Sequence, residues 1–177
     1  DLIQFCFRAK NRKLVKRSLR NPTLARGVSE LLELPYGSRL FRYQRDGELA
    51  NLTSAGLNAY LGEHLGNGFT AKDFRTWGGT MLAAVELRAM GPAASRREAD
   101  RNILRALDAV AERLGNTRTV CRKYYVHPAL LEAYLLGRTA PWPPAASRGA
   151  KRRAKPGGAL RRDEVTVLQF LQERVPD

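Results

Sequence analysis

Residues 114 to 128 read Leu114-Gly115-Asn116-Thr117-Arg118-Thr119-Val120-Cys121-Arg122-Lys123-Tyr124-Tyr125-Val126-His127-Pro128. Three punctuation marks organise this stretch. Gly115 suits the left-handed position that closes a helix. Asn116 can cap a short helix running to about Tyr125. Pro128 suits the first turn of a further helix, reaching Gly137. The chain therefore breaks one long helix into three around a pair of tyrosines, and that reading makes this part of the protein helical.

Working outward, Ser95 and Glu98 have capping-box spacing, and Ala99, Ile103, Leu107, Val110 and Leu114 recur every three or four residues up to Gly115. Thr70 and Asp73 form another capping box before a helix ending near Gly91-Pro92, with an expected buried stripe of Phe74, Trp77, Met81 and Val85. Thr53 or Ser54 caps a helix carrying Leu57, Tyr60 and Leu61 to near Gly66. Asn21-Pro22 starts one with Leu24, Val28, Leu31 and Leu32 that stops before Pro35. At the front, Ile3, Phe5 and Phe7 alternate with Gln4, Cys6 and Arg8, the period of a half-buried strand. A hairpin follows, with Lys10 at or near its tip. Residues 39 to 44 form a possible short strand before an Asp46-Gly47 turn. A final helix over about 159 to 174 carries Val165, Leu168 and Leu171. The expected fold is mainly α with a small N-terminal β-hairpin. Residues 1–137 would be the main body, 138–158 a basic flexible linker and 159–177 a C-terminal helix.

The chain has 177 residues and a formal charge of +14, with 44% apolar residues. That length suits one domain or one with an appendage, and the apolar fraction rules out wholesale disorder. No uncharged apolar run approaches the ~20 residues of a membrane span. Two cysteines, Cys6 and Cys121, point to a reducing cytosol rather than a disulfide scaffold. His64 and His127 have no second ligand at metal spacing, so a zinc site is not expected; no cofactor is expected either. The chain runs from Asp1 straight into a strand and is expected to be a piece of something longer.

The charge is segregated. Residues 8–26 hold eight cations and no acid, as do residues 138–162, which leaves 15 cations against 17 acids elsewhere. Such a field suits a polyphosphate partner, since each neutralised phosphate releases counterions. Neither cluster forms an amphipathic helix with an aromatic face, which argues against an anionic membrane. A solvated surface with a basic tail is the plainer alternative.

Two segments are more particular than generic helix: Phe69-Thr70-Ala71-Lys72-Asp73-Phe74-Arg75-Thr76-Trp77, and Asn116-Thr117 through Cys121-Arg122-Lys123-Tyr124-Tyr125-Val126-His127-Pro128. They resemble the T-A-K-D-x-R-T-[WY] and [HN]-T…C-R-K-x-Y-[IV]-H-P boxes of the bacterial, poxvirus-like type IB DNA topoisomerases. The front segment Phe7-Arg8-Ala9-Lys10-Asn11-Arg12 is similar to that family's F-[KR]-G-K-S-G hairpin, with both glycines replaced. The resemblance covers most of residues 1–137. It implies the DNA breaking-rejoining fold shared with tyrosine recombinases, and ATP-independent relaxation of supercoiled DNA through a 3′-phosphotyrosyl intermediate.

Carried over position by position, it implies Tyr125 as nucleophile, nine residues after Asn116, and Arg75 and Asn116 as transition-state stabilisers. Lys10 would be the general acid for a leaving deoxyribose oxygen far more basic than phenolate. One further family arginine is expected upstream of position 1. Periodicity alone does not separate Tyr125 from Tyr124. The duller readings are a surface Arg75, a purely capping Asn116, a core Tyr125 and one lysine among several at position 10. Gly78 and Gly79 follow Arg75 at i+3 and i+4, which suggests close approach of a backbone or ligand. Trp77 reads as core, and His127 as ordering the turn before Pro128. Arg8, Arg12, Lys13, Lys72, Arg122 and Lys123 are candidate DNA contacts. The implied partner is double-stranded DNA, bound as a monomer in a bacterial cytoplasm at the nucleoid. A tyrosine recombinase is the nearest rival, but it usually carries H-x-x-R where this chain has Lys72-Asp73-Phe74-Arg75, and His where this has Asn116. A helical DNA-binding module without chemistry is the other.

Overall fold

The computed structural model describes residues 1–8, 14–34, 39–45, 47–139 and 162–173. It is mainly helical with two small hairpins. The chain divides into two compact units, Asp1–Asn67 and Gly68–Asp177, a boundary that the sequence reading did not draw.

In the first unit, β1 (Leu2–Arg8) pairs antiparallel with β2 (Leu14–Arg20), Phe5 opposite Arg17. The alternation in β1 is real but its burial fades along the strand: Ile3 is buried, Phe5 half-buried and Phe7 exposed. Helix α1 (Pro22–Glu33) starts as expected, with the Asn21 side chain accepting the Leu24 N–H at 3.0 Å. Its C-terminal end is met by the Arg42 guanidinium, which donates to the Leu34 and Leu31 carbonyls at 3.2 and 3.4 Å. A second hairpin, β3 (Arg42–Arg45) with β4 (Glu48–Asn51), turns through Gly47 at φ 85°. The sequence reading foresaw the turn but not β4, because Glu48-Leu49-Ala50-Asn51 has little β-propensity. Helix α2 (Ser54–Leu65) takes Thr53 as its cap.

The second unit holds the hydrophobic core. Helix α3 (Ala71–Met90) packs on α4 (Arg96–Leu114). The short helices α5 (Arg118–Tyr124) and α6 (Pro128–Leu135) and the final α7 (Arg162–Gln172) join them. Ile103, Leu107 and Val110 of α4 are completely or almost completely enclosed, as the periodicity predicts. The expected stripe on α3 needs correction. Phe74 and Val85 are exposed, and the buried face runs through Gly79, Thr80, Met81, Ala83, Ala84 and Leu87, with Trp77 packed at its edge. The cause is Thr80, a polar residue whose burial an apolar pattern cannot anticipate. On α7 the buried residues are Val167, Phe170 and Leu171, while Val165 lies largely outside. One buried polar chain crosses the core: Asn102 Nδ2 donates to the Tyr134 hydroxyl at 2.8 Å, which donates to the Gly91 carbonyl at 2.7 Å. It ties α4, α6 and the end of α3 together without leaving those groups unsatisfied.

No helix among the described residues is long and apolar enough to cross a membrane.

Candidate active site

The site grows out of the C-terminal end of α4. Gly115 takes a left-handed φ of 67°, and the Asn116 N–H bonds back to the Ala111 carbonyl at 3.0 Å. The last carbonyls of a helix have no intrahelical donor, so Leu114 must find one elsewhere. It finds two. Arg75 donates from its guanidinium at 3.1 Å and Asn116 from its side-chain amide at 3.2 Å. A cation here also suits the negative end of the α4 dipole. One backbone oxygen thus aligns a charged and a neutral donor side by side. Asn116 does not cap the following helix, contrary to the reading that it can: the Thr117 hydroxyl does, accepting the Val120 N–H at 3.3 Å.

The Arg75 guanidinium lies over the Tyr125 ring, 5.0 Å from its centroid. Its exposed head keeps most of its five N–H groups beyond the bond to Leu114. Tyr125 is half-buried at the end of α5, with φ −128° and ψ −1°, and its N–H bonds the Cys121 carbonyl. Tyr124 faces a different environment. It is exposed, with the Lys72 and Lys123 ammonium groups 5.3 and 5.2 Å from its ring centroid. Of the two adjacent tyrosines, Tyr125 has its ring beneath the Arg75 guanidinium, which shares the Leu114 carbonyl with Asn116.

Local devices fix these elements. The Asp73 carboxylate accepts the Thr70 hydroxyl at 2.7 Å and the Thr70 N–H at 2.8 Å. Those bonds hold its pKa below the ordinary value. Arg118 forms a two-pronged ion pair with Asp108, both contacts at 2.6 Å, pinning the start of α5 to α4 and lowering the Asp108 pKa. His127 orders the turn as expected, its Nδ1 accepting the Ala129 N–H at 3.3 Å. Gly79 carries the close approach that the glycine pair suggested. A Cβ there would lie 3.2 Å from the Tyr125 carbonyl carbon and closer still to its oxygen, whereas one on Gly78 would meet open space. Burial pushes the Cys121 thiol up, partly opposed by the charge of Arg75, so this cysteine is a poor nucleophile.

Lys10, Arg12 and Lys13 lie outside the described residues. Arg8 is exposed at the end of β1, in the first unit. Arg122 is exposed on α5, beside Lys123. What the structure brings together is Arg75, Asn116 and Tyr125, with Lys72 and Lys123 around the neighbouring Tyr124. Thr76 and Thr80, which contact this segment, went unnoticed in the sequence because single threonines on a helix carry no pattern.

Residues 25–136 match the family model described as eukaryotic DNA topoisomerase I, catalytic core. The chain belongs to this family. The match contains Arg75, Asn116 and Tyr125 and begins after the β1–β2 hairpin. A viral relative, the DNA topoisomerase 1B of Acanthamoeba polyphaga mimivirus, is 32% identical over 142 residues, 75% of this chain. This chain spans 42% of that relative's length.

Proposed function

We propose that this chain is the catalytic domain of a type IB DNA topoisomerase of the bacterial, poxvirus-like kind. It acts as a monomer on double-stranded DNA. The observation that carries the proposal is the Leu114 carbonyl, which gathers Arg75 and Asn116 beside Tyr125. The Tyr125 oxygen gives up its proton to water and attacks a phosphodiester, a phosphotyrosyl bond forms at the 3′ side, and the bond to the 5′ oxygen breaks. Charge gathers on the non-bridging oxygens, where a planar guanidinium fork and a neutral amide are well matched to it. The departing alkoxide takes a proton from Lys10. The nicked duplex swivels, and attack by the 5′ hydroxyl on the phosphotyrosine restores the strand. The bond energy is conserved in the intermediate, so the cycle runs without ATP.

The test is relaxation of supercoiled plasmid by the full-length enzyme without nucleotide, with the covalent intermediate trapped by detergent. Ladders of topoisomers and a protein–DNA adduct are expected. Strand exchange between two duplexes without relaxation would reassign the chain to the recombinases, and DNA binding without adduct would leave it a binding module.

A further inference from the structure

Helix α3 also grips the backbone of the tyrosine segment. The Thr76 hydroxyl donates its one hydrogen between the Lys72 carbonyl at 3.1 Å and the Tyr124 carbonyl at 3.2 Å. The Tyr125 carbonyl is seated against Gly79, where no Cβ fits. The Thr80 hydroxyl, buried at 2% exposure, accepts the His127 N–H at 3.0 Å. Positions 76, 79 and 80 are spaced i, i+3 and i+4 and so lie on one helix face. Their three contacts cover residues 124, 125 and 127.

The arrangement matters because the local hold on Tyr125 is slight, a single backbone bond from its N–H to the Cys121 carbonyl. This tyrosine ends a helix of seven residues, too short to hold itself, and sits in the irregular link before α6. Its reach is set by where the backbone of residues 124–127 lies, and α3 sets that. The same helix carries Arg75, so one element places both that cation and the seat of the tyrosine. We propose that Thr76, Gly79 and Thr80 are positioning residues that register Tyr125 against the phosphate held by Arg75. The proposal rests on the topoisomerase reading. It extends the active site to three residues that need not touch DNA.

A displacement of about 1 Å can cost about 100-fold in rate. The experiment measures single-turnover cleavage by the full-length enzyme at saturating DNA, and DNA affinity separately in a Tyr125→Phe background. Thr80→Val keeps the shape and removes the acceptor. It is expected to slow cleavage at least about tenfold with affinity unchanged, and Thr80→Ser to return the rate to within about threefold. Gly79→Ala, which forces the Tyr125 carbonyl to move, is expected to slow cleavage by about 100-fold. Should Thr80→Val fail to fold, Thr76→Val at a half-buried position reads the same effect, with Thr76→Ser as its rescue. Normal rates in the valine variants would overturn the proposal. So would losses that the serine variants share, or that appear equally in DNA affinity. A wild-type enzyme that forms no adduct would overturn the topoisomerase reading instead, so the two failures are distinguishable.

Discussion

Replacing Arg75 by lysine keeps the charge and removes the fork. The guanidinium spends one donor on the Leu114 carbonyl at 3.1 Å and leaves parallel N–H groups for two phosphoryl oxygens. A lysine ammonium carries all its donors on one atom, so bonding Leu114 and spanning two oxygens compete. Loss of one preorganised donor to a developing oxyanion costs about 2.7–4 kcal/mol, or about 10²–10³ in rate. Single-turnover cleavage by Arg75→Lys at saturating DNA should therefore fall by at least about 100-fold. Lysine keeps the charge at the end of α4 and gives up at most the Leu114 hydrogen bond, so stability should fall by no more than about 1 kcal/mol in a denaturant melt. The assay is quenched-flow formation of the covalent adduct on a labelled duplex. A lysine variant cleaving within about threefold of wild type would show that charge suffices, a barrier change well under 1 kcal/mol, and would refute the geometric argument.

Tyr134→Phe strips both partners from a buried chain, leaving the Asn102 amide without its acceptor. It should lower the unfolding free energy by about 1–3 kcal/mol, read as a shifted denaturant midpoint at constant slope. The Asp73 and Asp108 carboxyls are held below their ordinary pKa, by the Thr70 hydrogen bonds and by Arg118 respectively. Their contribution is present at neutral pH and lost as pH falls through those depressed values, so the Asp73→Asn variant should show a flatter decline of stability below about pH 4. Neutralising Arg148, Lys151, Arg152, Arg153 and Lys155 together should flatten the salt dependence of DNA affinity by about 0.9 for each phosphate that is no longer neutralised. Saturated cleavage should stay within about threefold, whereas a tenfold fall would make that basic segment part of the active site.

The sequence disclosed the helical frame because its caps are chemical: Asn21, Thr53, Ser95 and Gly115 each stand where the helices begin or end. Asn116 misled as a cap because Thr117 beside it can do the same work, and only packing freed the Asn116 amide for Leu114. The α3 face was misplaced for a related reason. Period counting weighs large apolar residues, but beside Met81 and Leu87 that face is made of glycine, two alanines and a threonine that accepts the His127 N–H. Within the candidate site, it was the resemblance to the family's two boxes that named Arg75, Asn116 and Tyr125. Neither spacing nor composition could name the Leu114 carbonyl, because backbone groups are the same at every position. The glycine pair was legible as a close approach, although only Gly79 of the two requires it.

The central claim is that Tyr125, seated under Arg75, is the group that joins DNA. It is tested by trapping the adduct from the full-length enzyme, digesting it, and mapping the nucleotide-bearing tyrosine by mass spectrometry, with Tyr124→Phe and Tyr125→Phe in parallel. The account predicts a nucleotide on Tyr125, an adduct that persists in Tyr124→Phe, and none in Tyr125→Phe despite near-normal DNA binding. A nucleotide on Tyr124, or an adduct surviving Tyr125→Phe, would contradict it.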